Sequence, residues 1–429
     1  MSKNTENPLL DNNTHPIRDI LWGHVYMTEN QAKLTESAPF MRLNRIMQLG
    51  PVYLVYPGAT HTRASHSIGV YHIGKRLLKN LWKRGAEDWL TNEGINSFLA
   101  ACLLHDLGHF PYTHSLKELS LASHESLTGE IIMKEPMKSF VGAAGADPAF
   151  TAAIIDKERK EIQSDELDFY RKLLSGALDP DKLDYLNRDA RYCGVPYGAQ
   201  DVDFILSKLQ PDKKRGVDID SRLIPNVESI LFSKYLMYRT VYWHRQVRAI
   251  TAMIKKALIN GLKTGQIAGE DLYNLDDYSL FSLLKEKIKK NDSSPINGAA
   301  LVEYVQEGKI YAAAAEISPD KSGFKALKNT KNRAKTEGIL AEKLRKAGLE
   351  DIREEDIIID IPEPVSFETG LFITDEKCDF SQSSSAFKPQ TVRAFIQNLY
   401  TIRVYINQKF KEKLKTFPKA YSILKKLGN

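Results

Sequence analysis

The stretch from Ile95 to Leu107 is apolar on nearly every side. A helix with this pattern is buried inside a larger structure, because a surface helix keeps a polar face. The stretch contains His105-Asp106 near its end, and a carboxylate in apolar surroundings is costly unless it is paired or bound to a cation. The chain must therefore enclose this helix in a core and supply a partner for its polar end.

Histidines are concentrated around this helix. Seven of the ten histidines lie between His61 and His124. Histidine is the commonest metal ligand, so the crowding indicates chemistry more than packing. Two histidines and two carboxylates around one ion would suit metal-assisted hydrolysis, and His66 and Asp181 are the candidates to join His105 and Asp106. The alternative for His105-Asp106 alone is a helix C-terminal histidine paired with its neighbour.

Bulk composition narrows the class of protein. The 429 residues carry a formal net charge of +6, which suits an anionic substrate and does not require nucleic acid. Three cysteines without a Cys-x-x-Cys pair fit a reducing compartment. We see no signal peptide and no apolar run of the roughly 20 residues that span a bilayer. We therefore expect a cytoplasmic protein without a membrane segment.

Periodicity and breaker residues predict a mainly helical fold with a smaller α+β C-terminal region. We expect a division near residue 265, into regions 1–265 and 266–429. Helices are predicted over residues 40–46, 67–81, 95–107, 123–140, 148–178, 230–262, 271–290 and 298–310. A short strand or turn is predicted at residues 22–26, and a short hairpin or extended arm at 52–56. Strands are predicted over residues 357–361, 371–373 (pairing with 357–361) and 392–406. A basic C-terminal helix is expected to carry Leu414, Phe417, Tyr421 and Leu424.

Four stretches, spread over roughly residues 15–260, resemble a known family. They are Arg42-Leu43 to Gln48-Leu49-Gly50, Pro57 to Val70 with His61-Thr62-Arg63 and His66, His105-Asp106-Leu107-Gly108-His109 with His114, and Asp181-Lys182-Leu183-Asp184-Tyr185 with Arg188-Asp189. The set resembles the HD-domain phosphohydrolases, and within them the deoxynucleoside triphosphate (dNTP) triphosphohydrolases. We expect no SAM domain before these motifs.

The resemblance implies an all-helical catalytic core and a site for one divalent ion (Mn, Fe, Zn, Ni or Mg), with additional Mg accompanying the substrate. By the pattern of the family, the ligands would be His66, His105, Asp106 and Asp181. Arg63 and Lys182 would hold substrate phosphates. Gln48, Tyr185, Asp189 and Tyr242 would surround the sugar, and His109, His114 and His124 would line the α-phosphate.

The implied reaction is attack of water on the α-phosphorus, which releases tripolyphosphate and a deoxynucleoside. His114 is our first candidate for the proton donor. Lys117 stands where well-studied members have an aspartate, and an ammonium opposes an imidazolium, so His124 and His109 compete for this role. Glu36, Met41 and Asn44 stand at guanine-reading effector positions and cannot reproduce that recognition, so activation by a nucleotide effector should differ.

Other functions are compatible with the motifs. The protein would then hydrolyse another nucleotide or single-stranded nucleic acid, or serve as a nucleotide-sensing regulator without turnover. A complete set of metal ligands argues against the regulator, since a sensor has no need of open coordination. We expect a homo-oligomer. The C-terminal region would serve oligomerisation, an effector or single-strand binding, although nucleic acid is not a predicted partner.

Overall fold

The apolar stretch forms the central helix of the protein in a computed structural model, which describes residues 7–11, 14–119, 121–288, 297–317, 324–363, 365–416 and 422–423. The helix spans Asn92–Leu104 and begins where the Thr91 side chain accepts a hydrogen bond from the Gly94 amide. Side chains on all its faces are buried, and neighbouring helices pack against it. His105 caps its C-terminal end.

The described helices and strands are numbered in chain order. The helices of the N-terminal part are α1 Pro8–Asp11, α2 Glu29–Glu36, α3 Ala38–Leu43, α4 Arg63–Trp82, α5 Asn92–Leu104, α6 His124–Ile132, α7 Met137–Ala143, α8 Pro148–Ile155, α9 Asp165–Leu174, α10 Pro180–Cys193, α11 Val202–Lys208, α12 Ile224–Met237 and α13 Arg245–Lys263. Those that follow are α14 Asp277–Lys287, α15 Gly298–Gln306, α16 Phe324–Leu327, α17 Thr330–Lys346, α18 Phe380–Ser383, α19 Pro389–Leu399 and α20 Lys411–Thr416. The strands are β1 His15–Asp19, β2 Gly23–Met27, β3 Gln210–Asp212, β4 Gly216–Asp218, β5 Ala312–Ile317, β6 Ile357–Asp360, β7 Phe372–Ile373, β8 Cys378–Asp379 and β9 Ile402–Ile406.

Three helices position the site. Helix α5 packs between α4 and α8, and α10 packs on α4. Helix α10 starts with Asp179 as its N-cap and Pro180 in its first turn, a combination that favours a sharp helix start. The start of α4, the end of α5 and the start of α10 therefore lie together on one side of the core.

Long helices predicted from periodicity are interrupted. The predicted helix 148–178 is two helices, α8 and α9, because the Ser164 side chain accepts a hydrogen bond from the Leu167 amide and starts a new helix. The predicted helix 123–140 is likewise α6 and α7. Within 230–262, a π-helical segment, Tyr238–Tyr242, separates α12 from α13.

Two of the predicted extended segments are wrong. Residues 50–54 form a short 3₁₀ helix, and Pro51 lies in its first turn. The alternation of residue types at 52–56 therefore does not correspond to an extended backbone. Residues 392–406 contain helix α19 and only then strand β9; Pro389 occupies the first turn of α19. The strand predicted at 357–361 is confirmed as β6, and the short strand or turn predicted at 22–26 is strand β2.

The C-terminal region contains a three-stranded antiparallel sheet with the order β5–β9–β6. Strand β7 pairs with β8 and does not pair with β6, contrary to prediction. Helix α13 ends just before the expected division near residue 265 and packs against α15 and β6, which both follow it, so the two regions are in contact. Leu414 is buried on α20, whereas Phe417, Tyr421 and Leu424 lie outside the described residues.

The architecture confirms the predicted fold class, a mainly helical core with a smaller α+β C-terminal region. Side chains of α4, α5, α8, α9, α10 and α12 form one large apolar cluster. Within the part of the chain that the structure describes, we find no helix long and apolar enough to cross a membrane.

Candidate metal and catalytic site

His66, His105 and Asp181 converge at the meeting point of α4, α5 and α10. Nε2 of His66 lies 2.9 Å from Oδ1 of Asp181, and Nε2 of His105 lies 4.0 Å from the same oxygen. One ligand atom from each residue lies within 4.8 Å of the others. Such a grouping of two imidazoles and one carboxylate fits a divalent transition metal.

Neighbouring groups orient both imidazoles for metal binding. Nδ1 of His66 lies 2.8 Å from Oδ2 of Asp184, and Nδ1 of His105 lies 3.0 Å from the Cys102 carbonyl oxygen. A carbonyl and an ionised carboxylate only accept hydrogen bonds, so each Nδ1 is a donor. The Nε2 atom of each ring is then left to bind a metal.

Asp106 lies beside this group and contacts it through His105. Its Oδ1 atom is 3.3 Å from Nε2 of His105 and 3.1 Å from Nε2 of His109, while Oδ2 accepts a 2.8 Å hydrogen bond from Arg63. Burial raises the pKa of Asp106, but His105 and Arg63 outweigh it and hold the pKa well below its usual range. Asp106 is therefore an anion adjacent to the three clustered residues.

The remaining predicted histidines form a cluster of rings. The centroid of His109 lies 4.0 Å from that of His124 and 4.8 Å from that of His114. Burial lowers the pKa of each ring well below its usual value, and Arg63 and the neighbouring rings lower it further. Lys117 adds to this lowering of the pKa at His114, as the sequence suggested, and it also lowers the pKa of His124, which the sequence did not suggest. Nδ1 of His124 lies 3.1 Å from the Glu125 carboxylate.

On the sugar side of the predicted site, Asp189 is the centre of a hydrogen-bonded group. The Tyr242 hydroxyl donates to its Oδ2 atom at 2.5 Å, and Nε2 of His61 lies 2.8 Å from its Oδ1 atom. Tyr242 closes the π-helical segment, a distortion frequent at functional sites. His61 belongs to the histidine-rich stretch but has no role in the sequence prediction.

One cavity of about 500 Å³ is lined by all the predicted site residues except Lys182. Nζ of Lys182 instead donates to Asp179 at 2.7 Å and to the Gly176 carbonyl at 2.9 Å. Two cations that line the cavity, Lys234 and Arg248, were not predicted. Lys234 is only 5% exposed and lies on a largely apolar helix. A lysine among apolar residues in the sequence of this helix is the signal that could have identified it.

Several polar atoms that line the cavity lack hydrogen-bond partners. Among the described residues, Oε1 of Gln48, Nε of Arg63 and Nδ1 of His109 are buried without a partner. Buried polar groups are nearly always satisfied, so an exception calls for a ligand or water. All three belong to residues that the sequence predicted for the site.

The helical core and the cluster of histidines and aspartates are those of an HD-domain protein. Residues 63–174 match the HD domain family, and residues 201–427 match the HD associated region. The chain belongs to the family of HD-domain proteins that carry this associated region.

Its relatives confirm the resemblance to HD-domain dNTPases. The chain is 32% identical to an uncharacterized protein of Methanocaldococcus jannaschii over 63% of this chain, and it spans 54% of that protein. It is 24% identical to the deoxynucleoside triphosphate triphosphohydrolase SAMHD1 homolog of Dictyostelium discoideum, over 96% of this chain and 81% of that protein. A crystal structure of a hypothetical protein from Aquifex aeolicus has 25% identity and a TM-score of 0.68, and covers 96% of this chain and 99% of its own.

Proposed function

We propose that the protein is a metal-dependent phosphohydrolase that converts a dNTP to a deoxynucleoside and tripolyphosphate. The observation that carries the proposal is the set of unsatisfied buried atoms of Gln48, Arg63 and His109 beside the cluster of His66, His105 and Asp181. Arg63 and Lys117 also line the cavity, and such cations suit a polyphosphate. The name of the Dictyostelium relative supports this substrate class.

His66, His105 and Asp181 would hold the ion, with Asp106 as the adjacent fourth ligand. A divalent ion there would lower the pKa of a bound water and polarise a phosphoryl oxygen. The ligand set suits Mn, Fe, Zn or Ni, and Mg would accompany the phosphates of the substrate.

The residues of the chain itself would supply the remaining chemistry. Arg63 binds phosphate oxygens, because its Nε atom is free while Nη1 is held by Asp106. Lys182 would first have to leave Asp179 to reach a phosphate, so Arg63 is the stronger candidate. Asp189 and Tyr242 bind the 3′-hydroxyl group, Gln48 binds the sugar, and Tyr185 packs against the sugar near its 2′-carbon and disfavours a ribose.

The proton donor is one of the three clustered histidines. Water adds to the α-phosphorus, the bond from phosphorus to the 5′-oxygen breaks, and that oxygen takes a proton from an imidazolium. The contact of His124 with Glu125 supports His124, because a carboxylate stabilises the protonated ring. His114 lies beside it and is the alternative, while His109 orients Asp106.

The test incubates the purified chain with each of the four dNTPs and identifies products by ³¹P NMR. We expect tripolyphosphate, and at least a hundredfold loss of turnover in His105→Ala. His24→Ala, at an exposed position, is the matched control. Release of only orthophosphate or pyrophosphate would overturn the proposal. Nucleoside monophosphates and single-stranded oligonucleotides belong in the same panel, because turnover of these alone would favour the alternative substrates.

Two further expectations follow from the resemblance. We infer a homo-oligomer, which light scattering after size exclusion will test. Glu36, Met41 and Asn44 are exposed on or beside α2 and α3, so an effector nucleotide could reach them. Their chemistry does not suit guanine, and we expect no selective stimulation by dGTP or GTP in a comparison of all nucleotides as activators.

A further inference from the structure

A buried polar chain connects the N-terminal hairpin β1–β2 to the candidate metal ligand His66. We propose that Asp184, held by Trp22 and Arg188, is a positioning residue that fixes His66 in the orientation a metal ion requires. The hairpin thereby helps to position a ligand of the metal centre. This inference rests on the metal centre of the proposed function.

Asp184 is fully buried, and its two oxygen atoms accept four hydrogen bonds. Oδ2 contacts Nδ1 of His66 and Nε of Arg188, each at 2.8 Å. Oδ1 accepts from Nε1 of Trp22 at 2.6 Å and from Nη2 of Arg188 at 2.9 Å. These four hydrogen bonds fix the orientation of the carboxylate, and Nδ1 of His66 is held as a donor. The Nε2 atom of His66 then points its lone pair at the metal position.

The hairpin fixes the far end of this chain. Arg188 is fully buried, and its Nη1 atom donates to Oδ2 of Asp19 at 2.9 Å. Oδ1 of Asp19 accepts from the backbone amides of Leu21 and Trp22, at 2.8 and 2.9 Å. Asp19 therefore shapes the turn that presents the Trp22 indole to Asp184. A shift of the turn would displace both donors that hold Asp184.

Helix α4 leaves space for this arrangement at Gly69, one turn after His66. A β-carbon at Gly69 would lie 1.9 Å from Oδ1 of Asp184 and 2.5 Å from Nη2 of Arg188. Real side chains do not approach so closely, so any other residue there would displace the Asp184–Arg188 pair. The sequence thus provides both the polar chain and the gap into which it fits.

The experiment compares Asp184→Asn and Trp22→Phe with the unmodified 429-residue chain. The first substitution keeps the shape of the side chain but presents an amide group to donors. The second removes one hydrogen bond and keeps a ring against His72, on which Trp22 stacks at 5.9 Å. Trp82→Phe is the control, because the buried Nε1 atom of Trp82 has no partner among the described residues.

The readouts are the Zn²⁺ dissociation constant from competition with a chelator and the downfield proton resonance of Nδ1–H of His66 in the Zn²⁺-loaded chain. We expect Asp184→Asn to weaken binding about 10–100-fold and to lose the resonance. Trp22→Phe should weaken binding less and shift the resonance, and Trp82→Phe should leave both unchanged.

The outcomes separate this inference from the proposed function. If the unmodified chain binds no divalent ion, the metal centre itself is wrong. If it binds Zn²⁺ and both Asp184→Asn and Trp22→Phe match it in affinity and resonance, the positioning role is overturned. Circular dichroism verifies that each variant is folded, and Trp22→Phe alone decides the question if Asp184→Asn does not fold.

Discussion

The hydroxyl group of Tyr242 lies 2.5 Å from Oδ2 of Asp189, although the two residues belong to different helical segments. The π-helical turn Tyr238–Tyr242 ends at this contact. His61 occupies the other oxygen of Asp189. The pair therefore forms a polar wall of the cavity, in which the carboxylate is held toward the position that the proposed function gives to a sugar hydroxyl.

Tyr242→Phe tests this wall. Removal of the hydroxyl group takes one charge-assisted hydrogen bond from Asp189, a contact worth about 1.5–3 kcal/mol. We expect kcat/KM for a dNTP to fall by roughly 10–100-fold, in steady-state assays of product formation. Tyr278→Phe removes a hydroxyl group from a side chain that is 69% exposed and should behave as the unmodified chain. If Tyr242→Phe and Tyr278→Phe have the same kcat/KM, the contact between Asp189 and Tyr242 does not contribute to substrate binding.

His124 and Glu125 predict a pH dependence. Burial lowers the pKa of His124 well below its usual value, and the Asp106 carboxylate opposes this. The Glu125 carboxylate lies 3.1 Å from Nδ1 of His124, and a negative charge at this distance favours the protonated ring. A proton donor acts in its protonated form, so activity is present below its pKa and is lost as the pH rises through it. Glu125→Gln removes the counter-charge, lowers that pKa further, and should move the alkaline limb of the kcat/KM profile to lower pH.

The comparison for Glu125→Gln is Glu130→Gln, because Glu130 lies on the same helix and pairs with exposed Lys134. Its profile should match that of the unmodified chain. His124→Gln should lower kcat by about 10²–10⁴-fold, the usual contribution of a general acid. If His124→Gln retains full activity, His124 is not the proton donor, and His114 becomes the candidate for that role.

Gly69→Ala predicts a loss of stability. The new β-carbon would overlap the buried Asp184–Arg188 pair, and overpacking of this kind costs typically about 1–3 kcal/mol of unfolding free energy. Gly142 on helix α7 has no neighbouring atom within 4 Å of the corresponding position, so Gly142→Ala should stabilise by about 0.5–1 kcal/mol. Urea unfolding of both variants measures the difference, and a neutral Gly69→Ala would contradict the close approach.

Arg248→Met tests a buried ion pair between α13 and the sheet. Arg248 is 4% exposed and donates to Asp360 at 2.6 and 2.9 Å and to Glu363 at 2.8 Å. Removing one partner of a buried pair leaves the other charge uncompensated, and the cost is about 3–5 kcal/mol. Lys346→Met breaks an exposed pair with Glu342 and should cost less than about 1 kcal/mol in the same unfolding experiment.

The sequence motifs name three residues that the structure brings together, whereas several helix boundaries differ from the prediction. His66, His105 and Asp181 follow from the motifs, because their chemistry requires particular residue types at fixed places. Lys182 has the right charge, but its helix N-cap, Asp179, lies three residues away and binds it. That competition depends on side-chain geometry, which a motif does not contain.

The other differences between the predicted and the observed secondary structure arise from tertiary packing. Residues on both sides of Tyr238–Tyr242 favour a helix, and nothing local indicates where the π-helical turn falls. The two-residue strand β7 pairs with β8 and forms a bridge from Ile373 to Ile219. Such a short strand carries too little pattern to select a partner, so its pairing follows from the surrounding fold.

The segment that follows β6 brings Glu363, Val365 and Ser366 to the wall of the cavity that contains the histidines. A fragment that stops near residue 265 would lack this wall, and its chamber would open to solvent. Substitutions at these three positions can therefore change the shape and charge of the cavity, while every motif that identifies the family stays intact.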